Sequence, residues 1–420
     1  MKKSSITSSL LFRIVVAIIL GIVCSLFFPE WLARVFVTFN GLFGNFLGFF
    51  VPVLIFALIT SAIAGLGAGA SKWLGATAGL AYASTIISGL MAWGVASALY
   101  PTLLAGQSMI DAVDIDEGAL TPYFTVEMPA PMEVMAALLL AFTVGLSIAA
   151  IRAQVLTTAA KELRDAIMVA IVKFVIPLLP IYIFGMFLAM GMNGNLVLTL
   201  TAFAKVLIVA TIMTCVVLLL QYVIVGAYAR VNPFRALKNM LPAYFTALGT
   251  SSSAATIPVT LRCARNNGVT GSVGGFVIPL CATVHLSGSM MKIGLFAFAI
   301  VFMTGGHLSA SAALGFILLL GIMMVAAPGV PGGAIMAAVG LLQSQLGFDE
   351  GQVALMIAAY IAIDSFGTAC NVTGDGAIAL AINRMAGGEV RGNDGEPLES
   401  GAPADDEPVA DAAPGRAAGA

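Results

Sequence analysis

Apolar runs of membrane-spanning length recur along most of this chain, from about residue 10 to residue 385. A helix needs about 20 mostly apolar residues to cross roughly 30 Å of hydrocarbon. Of the 420 residues, 60% are hydrophobic and only 10% are charged, and the mean hydropathy is +1.02. Soluble globular domains do not have such a composition. The sequence therefore predicts a polytopic, all-α integral membrane protein.

Turn-forming and charged segments separate the apolar runs. They predict six spans in the first half of the chain, at about Leu10–Phe28, Val35–Ala64, Trp73–Ala98, Val134–Ile151, Ala166–Met192 and Leu196–Tyr228. The segment Pro101–Pro131 carries five acidic residues and no basic one, which is typical of an aqueous loop. We expect residues 1–9 to be a cytoplasmic N-terminus, residues 10–385 a single membrane domain, and residues 386–420 a disordered acidic cytoplasmic tail.

The basic residues of the connections predict the orientation of the chain. Thirteen fall on connections that share one side: Lys2, Lys3, Lys72, Arg152, Lys161, Arg164, Arg230, Arg235, Lys238, Arg262, Arg265, Arg384 and Arg391. Arg34 alone falls on the other side. The positive-inside rule then places both termini in the cytoplasm. This topology requires residues 233–265 and about 311–345 each to enter and leave on the same side, as two re-entrant hairpins.

Both candidate hairpins are interrupted by helix-breaking sequence. The first contains Gly249-Thr-Ser-Ser-Ser-Ala-Ala-Thr-Ile-Pro258 and the second contains Pro328-Gly-Val-Pro-Gly-Gly333. Non-helical backbone at membrane depth is tolerated where it is buried in protein or lines a cavity, so two such tips indicate a binding site. The alternative, two ordinary kinked helices, is incompatible with the charge topology.

The last apolar run contains two carboxylates. Asp364, Thr368, Asn371 and Asp375 follow the spacing i, i+4, i+7, i+11, which places them on one face of a helix. A carboxylate at membrane depth is costly without a cation beside it, either a metal ion or an ammonium group. This polar helix face is therefore predicted to bind a cation. The alternative interpretation is a structural hydrogen-bond network between helices.

Several function classes find no support in the sequence. It contains no zinc-binding His-Glu-x-x-His motif and no Gly-x-x-x-x-Gly-Lys phosphate loop. Its five cysteines are scattered, without the spacing of a zinc site or a disulfide framework. Nothing indicates a nucleic-acid partner. We do not expect an enzyme. The alternative, an intramembrane protease, would need a base beside the serine cluster at residues 251–253, and that segment contains none.

Three motifs in fixed order resemble the dicarboxylate/amino acid:cation symporter family. They are Thr250-Ser-Ser-Ser-Ala-Ala-Thr-Ile-Pro-Val-Thr260, Gly329-Val-Pro-Gly-Gly333 and Asn371-Val-Thr-Gly-Asp375, and the similarity covers residues 10–385. The resemblance implies the glutamate-transporter fold, with eight transmembrane helices and two re-entrant helical hairpins, assembled as a homotrimer. Spans 1, 2, 4 and 5 would form a fixed scaffold. Spans 3, 6, 7 and 8 and both hairpins would move as the transport part.

The resemblance also implies the residues of the binding sites. Asp364 would bind the α-amino group of an amino acid and Asn371 its α-carboxylate, and the rest of this set would be Ser252, Ser253, Gly329, Val330, Gly367 and Thr368. A sodium ion would be held by Asp375 with backbone carbonyls of Cys281, His285 and Asn371. A second would be held by carbonyls near Thr283 and at the tip of the second hairpin. Oxygen ligands suit such a hard cation. A further sodium site would involve Ser84, Thr85 and Ser287.

The sequence departs from the family at the position that determines charge selectivity. Members that carry acidic amino acids have an arginine immediately before the threonine of helix 8, where Gly367 stands in this chain. No nearby arginine replaces it. We therefore expect a small neutral amino acid such as serine, threonine or alanine as the substrate. The space beside Gly367 leaves room for a larger neutral one.

A second departure concerns the coupling ion. His285-Leu-Ser-Gly-Ser289 replaces the family's Asn-Met-Asp-Gly-Thr, so Ser287 stands in place of a sodium-binding aspartate. His285 and Lys292, seven positions apart, would share a helical face. One hypothesis is a structural, hydrogen-bonded His285. The other is that a proton or the Lys292 ammonium replaces one sodium ion.

The prediction from the sequence is a multi-pass plasma-membrane symporter in the lipid bilayer, importing a neutral amino acid with sodium by an elevator-like alternating-access movement. The alternatives are proton coupling, a dicarboxylate or acidic amino acid as the substrate, and an anion-conducting channel of the same fold.

Overall fold

The structure, a computed structural model, describes residues 10–66, 72–106, 120–192, 196–327 and 331–389. These residues form α-helices and no strand. The helices are α1 Leu10–Ser25, α2 Glu30–Leu66, α3 Lys72–Leu103, α4 Val134–Ile151, α5 Gln154–Ala170, α6 Ile176–Met192, α7 Leu196–Ala229, α8 Pro233–Thr250, α9 Ser253–Asn266, α10 Gly271–Val284, α11 Ser287–Met303, α12 Ala310–Ala326, α13 Gly333–Leu346, α14 Glu350–Ala362 and α15 Asp364–Met385. A π-helical turn, Ile171–Val175, joins α5 to α6.

Helices of the structure lie at the positions of the expected spans. Within the described residues, five helical segments are long and apolar enough to cross a membrane, and the bent pair α14–α15 makes a sixth. The shorter apolar segments Phe12–Ser25 and Ala136–Ile151 correspond to the first and fourth expected spans. The fifth is longer than expected, because its helix begins at Gln154 rather than at about Ala166.

The helices pack as two groups. In one, α2 lies against α4, α5 and α6, and α1 lies against α6. In the other, α15 contacts α7, α8, α9, α10 and α11, while α3 packs against α11. Contacts of α12 and α13 with α2, and of α14 with α1 and α6, join the groups. The division into a scaffold part and a transport part, and their relative movement, stay predictions.

The first hairpin is formed by α8 and α9. Asn232 caps α8, accepting hydrogen bonds from the amides of Phe234 and Arg235 at 3.0 Å, and Pro233 occupies the first turn, where its missing N–H has no cost. At the tip, Ser251 has a left-handed backbone (φ 48°) and Ser252 caps α9. The chain therefore reverses direction within two residues, as the serine-rich motif predicts.

The second hairpin is formed by α12 and α13. Its tip ends at Gly332, whose φ of 74° lies in the left-handed region that favours glycine. Residues 328–330 lie outside the described part of the chain, as do residues 1–9, 107–119 and 390–420. The expected roles of Gly329, Val330, the N-terminus and most of the acidic tail therefore fall on residues that the structure does not describe.

The described end of the acidic loop is fastened to α2. Arg34 donates from Nε to the Thr121 carbonyl at 2.9 Å and lies over the ring of Tyr123, 4.6 Å from its centroid. The Tyr123 amide donates to Thr38 Oγ1 at 2.8 Å. Arg34 is the basic residue that the charge count placed on the side opposite to the other thirteen. It thus binds the acidic loop, which the predicted topology places on the same side as Arg34.

Candidate functional site

The candidate site is built around the start of α15. The helices α14 and α15 meet at Ile363 with a bend of 61° between their axes. Asp364 is the first residue of α15, so its carboxylate lies at a helix N-terminus, where the helix dipole stabilises negative charge. Its side chain is nevertheless almost fully buried, so it requires partners within the protein.

Those partners come from α11 and from the second hairpin. The Nζ atom of Lys292 lies 3.5 Å from Asp364 Oδ1, and the Lys292 side chain has 0% exposure. The backbone amide of Gly332 donates to Asp364 Oδ2 at 2.9 Å. A cation from the chain itself and an N–H of the hairpin therefore bind the two oxygens of one carboxylate.

Lys292 has three further contacts. Its Nζ donates to the carbonyls of Ile363 and Asp364, at 3.2 and 3.4 Å, and lies 3.9 Å from the centroid of the Tyr360 ring. The Ile363 carbonyl follows the C-terminus of α14, where partial negative charge favours a cation, and aromatic faces also attract cations. The break between α14 and α15 is thus a binding place for the ammonium group.

The structure corrects the expectation of open space beside Gly367. A Cβ atom built on Gly367 would collide with Cε and Nζ of Lys292. The space that a family arginine would use is filled, because the Lys292 side chain crosses it on the way to Asp364. Gly367 is needed for this close approach, because Lys292 occupies the position that a Cβ at residue 367 would take.

Asn371 and Thr368 lie further along α15. Asn371 Oδ1 accepts the amide of Gly288 at 2.7 Å, and its Nδ2 donates to Ser289 Oγ at 3.0 Å. Tyr360 also donates to Ser289 Oγ, at 3.0 Å. Thr368 Oγ1 donates to the Asp364 carbonyl at 3.1 Å. Asn371 therefore fastens α15 to the N-terminus of α11.

Asp375 is bound by histidine. Its Oδ1 lies 3.0 Å from Nδ1 of His285, and both side chains are buried. The Nε2 atom of the same ring lies 3.1 Å from Ser84 Oγ. Since both ring nitrogens have partners, His285 is part of a hydrogen-bonded network, as the structural hypothesis for this residue requires.

Gln221 of α7 completes this second network. Its Nε2 donates to Ser84 Oγ at 3.0 Å and to Ser287 Oγ at 2.9 Å, so an amide group lies between two of the three residues expected to form a further sodium site. The third, Thr85, donates to the Ala81 carbonyl at 2.9 Å. Ser84 and Gln221 also line a cavity of about 440 Å³ between α3, α7 and α15.

The expected common face of His285 and Lys292 is wrong. His285 has extended backbone (φ −107°, ψ 96°) and ends α10, and α11 begins only at Ser287. Because the helix is interrupted between the two residues, helical spacing does not relate them. Each joins a different carboxylate of α15.

The other predicted residues lie as follows. Cys281 is buried, and its carbonyl accepts the His285 amide at 2.9 Å. Thr283 is exposed and donates to the Leu280 carbonyl at 2.8 Å. In the first hairpin, Ser252 accepts the Ala255 amide at 3.3 Å and Ser253 is buried.

The sequence of the chain matches a known family of transporters. A family model described as the sodium:dicarboxylate symporter family matches residues 10–385. The chain belongs to this family. It is therefore a membrane symporter that couples the movement of its substrate to sodium.

Curated relatives agree with this assignment. The serine/threonine transporter SstT of Acinetobacter baumannii (strain AYE) is 30% identical over 338 residues, which cover 78% of the chain and 84% of that protein. Excitatory amino acid transporter 1 of Rattus norvegicus is 30% identical over 240 residues, covering 56% of the chain and 44% of that protein. The bovine form of the latter matches to the same extent.

Sequence reasoning missed three residues of the symporter's polar networks: Gln221, Ser289 and Tyr360. Gln221 could have been noticed as a lone amide in the apolar run of α7. Ser289 carried no comparable signal, because serine in a membrane helix commonly bonds to its own backbone. Tyr360 carried none either, because a tyrosine in an apolar run also fits ordinary packing.

Proposed function

We propose that the protein imports a small neutral L-amino acid, of the serine, threonine or alanine type, together with sodium. Asp364 binds the α-amino group and Asn371 the α-carboxylate, with Ser252, Ser253, Gly329, Val330, Gly367 and Thr368 around them. The observation that carries this proposal is the pairing of Lys292 with Asp364 beside Gly367.

That pairing bears on the charge of the substrate. Acidic amino acids need a cation for their side-chain carboxylate, and a bidentate arginine would suit it best. At the described residues around Gly367, the basic group is Lys292, already bound to Asp364 and two carbonyls. A neutral side chain needs no such cation. The relatives named serine/threonine transporters are consistent with this choice.

Sodium is proposed to bind at Asp375, with carbonyls of Cys281, His285 and Asn371. A buried oxygen supports a cation in this region, because Gln221 Oε1 has no hydrogen-bond partner in the structure. The Gln221 oxygen lies beside His285, since a Cβ on Gly374 would be 2.6 Å from the former and 2.7 Å from His285 Cε1. Such oxygens suit a hard cation.

Coupling follows from the shared helix. Asp364, Asn371 and Asp375 all belong to α15, and Asp364 also binds Gly332 of the second hairpin. Either ligand can therefore favour the same closed hairpin and so strengthen binding of the other. The transport part, α3 and α7–α15, would move as an elevator against α1, α2 and α4–α6 in a homotrimer, with both termini in the cytoplasm and the protein in the plasma membrane.

The proposal is tested by uptake into proteoliposomes. Labelled L-serine, L-threonine, L-alanine and L-aspartate are offered under an inward sodium gradient, a proton gradient or neither. We expect sodium-driven accumulation of the neutral amino acids and little of aspartate. Aspartate accumulation would overturn the assignment of a neutral substrate. Proton-driven uptake without sodium would overturn the assignment of sodium as the coupling ion.

A further inference from the structure

The ion pair of Lys292 with Asp364 lies at the carboxylate that the proposed amino acid site requires. Asp364 Oδ1 is 3.5 Å from Lys292 Nζ, and Oδ2 accepts the Gly332 amide at 2.9 Å. The charge of this carboxylate is therefore balanced from within the chain at the place where α15 contacts the second hairpin.

Lys292 does not depend on Asp364 alone. Two carbonyls at the break between α14 and α15, and the face of Tyr360, also surround its Nζ. The two carbonyl oxygens lie 3.2 and 3.4 Å from Nζ, which is slightly closer than the carboxylate oxygen at 3.5 Å. The ammonium therefore keeps a favourable place when Asp364 takes another partner.

The second hairpin contacts Asp364 through the Gly332 amide, and the carboxylate is almost fully buried in this arrangement. Burying an unpaired carboxylate is strongly disfavoured. An amino acid ammonium offsets that effect when cargo is bound. A carrier that performs net uptake must also close and return without cargo, and then the cation has to come from elsewhere.

We propose that Lys292 is the counter-cation of Asp364 whenever no amino acid is bound, so that the second hairpin closes without cargo and net uptake becomes possible. The inference rests on the proposed function, since it takes Asp364 as the ammonium site. On binding, the amino acid ammonium replaces Lys292 at Asp364, and Lys292 keeps its carbonyl and Tyr360 contacts. Without Lys292, the carrier closes only when loaded and is confined to exchange.

The experiment compares net uptake with exchange for one variant in the same vesicles. Purified wild type and Lys292→Met are reconstituted, and labelled L-serine is supplied outside with sodium, with either no amino acid or unlabelled L-serine inside. Lys205→Met is the matched control, because Lys205 also donates to a backbone carbonyl, that of Leu103 at 3.0 Å, but no described carboxylate contacts it.

We expect Lys292→Met to lose net uptake by about tenfold or more while exchange stays within about twofold of wild type. Lys205→Met should retain both net uptake and exchange at the wild-type level. Retained exchange also shows that the variant is folded and binds its substrate. Unchanged net uptake in Lys292→Met, or an equal loss of net uptake and exchange, would overturn the inference.

A second measurement needs no substrate. Thermal unfolding in detergent is followed for Lys292→Met, Asp364→Asn and the double variant. Each single change leaves one member of the pair without its partner, so the double variant should lose less stability than the sum of the single losses. Additive losses would overturn the ion pair while leaving the proposed function intact. Non-additive losses, with no amino acid transported by the wild type, would instead overturn the proposed function and with it the transport role of Lys292.

Discussion

His285 Nδ1 lies 3.0 Å from Asp375 Oδ1, joining the break between α10 and α11 to the middle of α15. This imidazole contacts the carboxylate proposed to bind sodium. A sodium ion at this place must therefore share Asp375 with His285, whose other ring nitrogen is held by Ser84. The affinity for the ion depends on both the charge of Asp375 and the position of the ring.

The first prediction concerns Asp375→Asn. It removes the negative charge that a buried cation needs, so the sodium concentration for half-maximal uptake should rise about tenfold or more. At saturating sodium, the affinity for L-serine should change far less. Initial uptake rates measured against sodium and then against L-serine give the two values. Asp165→Asn, at an exposed pair with Arg164, is the control and should alter neither.

Asp364→Asn should show the reverse pattern. Removing the carboxylate leaves an amino acid ammonium without its counter-charge, so the L-serine concentration for half-maximal uptake should rise about tenfold or more at saturating sodium. The sodium dependence, measured at the highest usable L-serine concentration, should be less affected. If Asp364→Asn and Asp375→Asn each raised the half-maximal concentrations of sodium and of L-serine equally, the two carboxylates would not have separate roles.

Much of the fold was predictable because short stretches of the sequence determine where helices form and where they break. Apolar runs of spanning length and the Gly, Pro and Ser breaks between them indicated the helices and both hairpins. Within the structure, the fourth span begins and ends at the predicted residues, Val134 and Ile151. The spacing of Asp364, Asn371 and Asp375 indicated that they share one helix, which α15 confirms.

The partners of these carboxylates were not predictable in the same way. Lys292 is separated from Asp364 by more than 70 positions, and only the packing of α11 against α14 and α15 brings them together. Helical spacing failed for His285 because the backbone leaves the helix there. The absence of a side chain at Gly367 suggested space, whereas it permits the approach of a neighbour.

A third prediction concerns Gln221→Leu. The change removes the amide that binds Ser84 Oγ and Ser287 Oγ, and it places an apolar group among polar ones. We expect a loss of about 1–3 kcal/mol in the free energy of unfolding. Thermal unfolding in detergent measures it. Gln343→Leu, at a partly exposed position of α13, should cost much less, and equal losses would mean that the Gln221 bonds do not stabilise the fold.

The last prediction uses the space at Gly367. Gly367→Ala adds a methyl group where Lys292 Cε and Nζ lie, so Lys292 must move away from Asp364 or the helices must separate. Overpacking of this kind costs about 1–3 kcal/mol, more than alanine gains over glycine within a helix, which is about 1 kcal/mol. Gly79→Ala is the matched control, because a Cβ there meets nothing within 4 Å. In thermal unfolding, Gly367→Ala should be less stable than wild type and Gly79→Ala as stable or more stable. Gains in both variants would mean that Lys292 does not occupy the space beside α15.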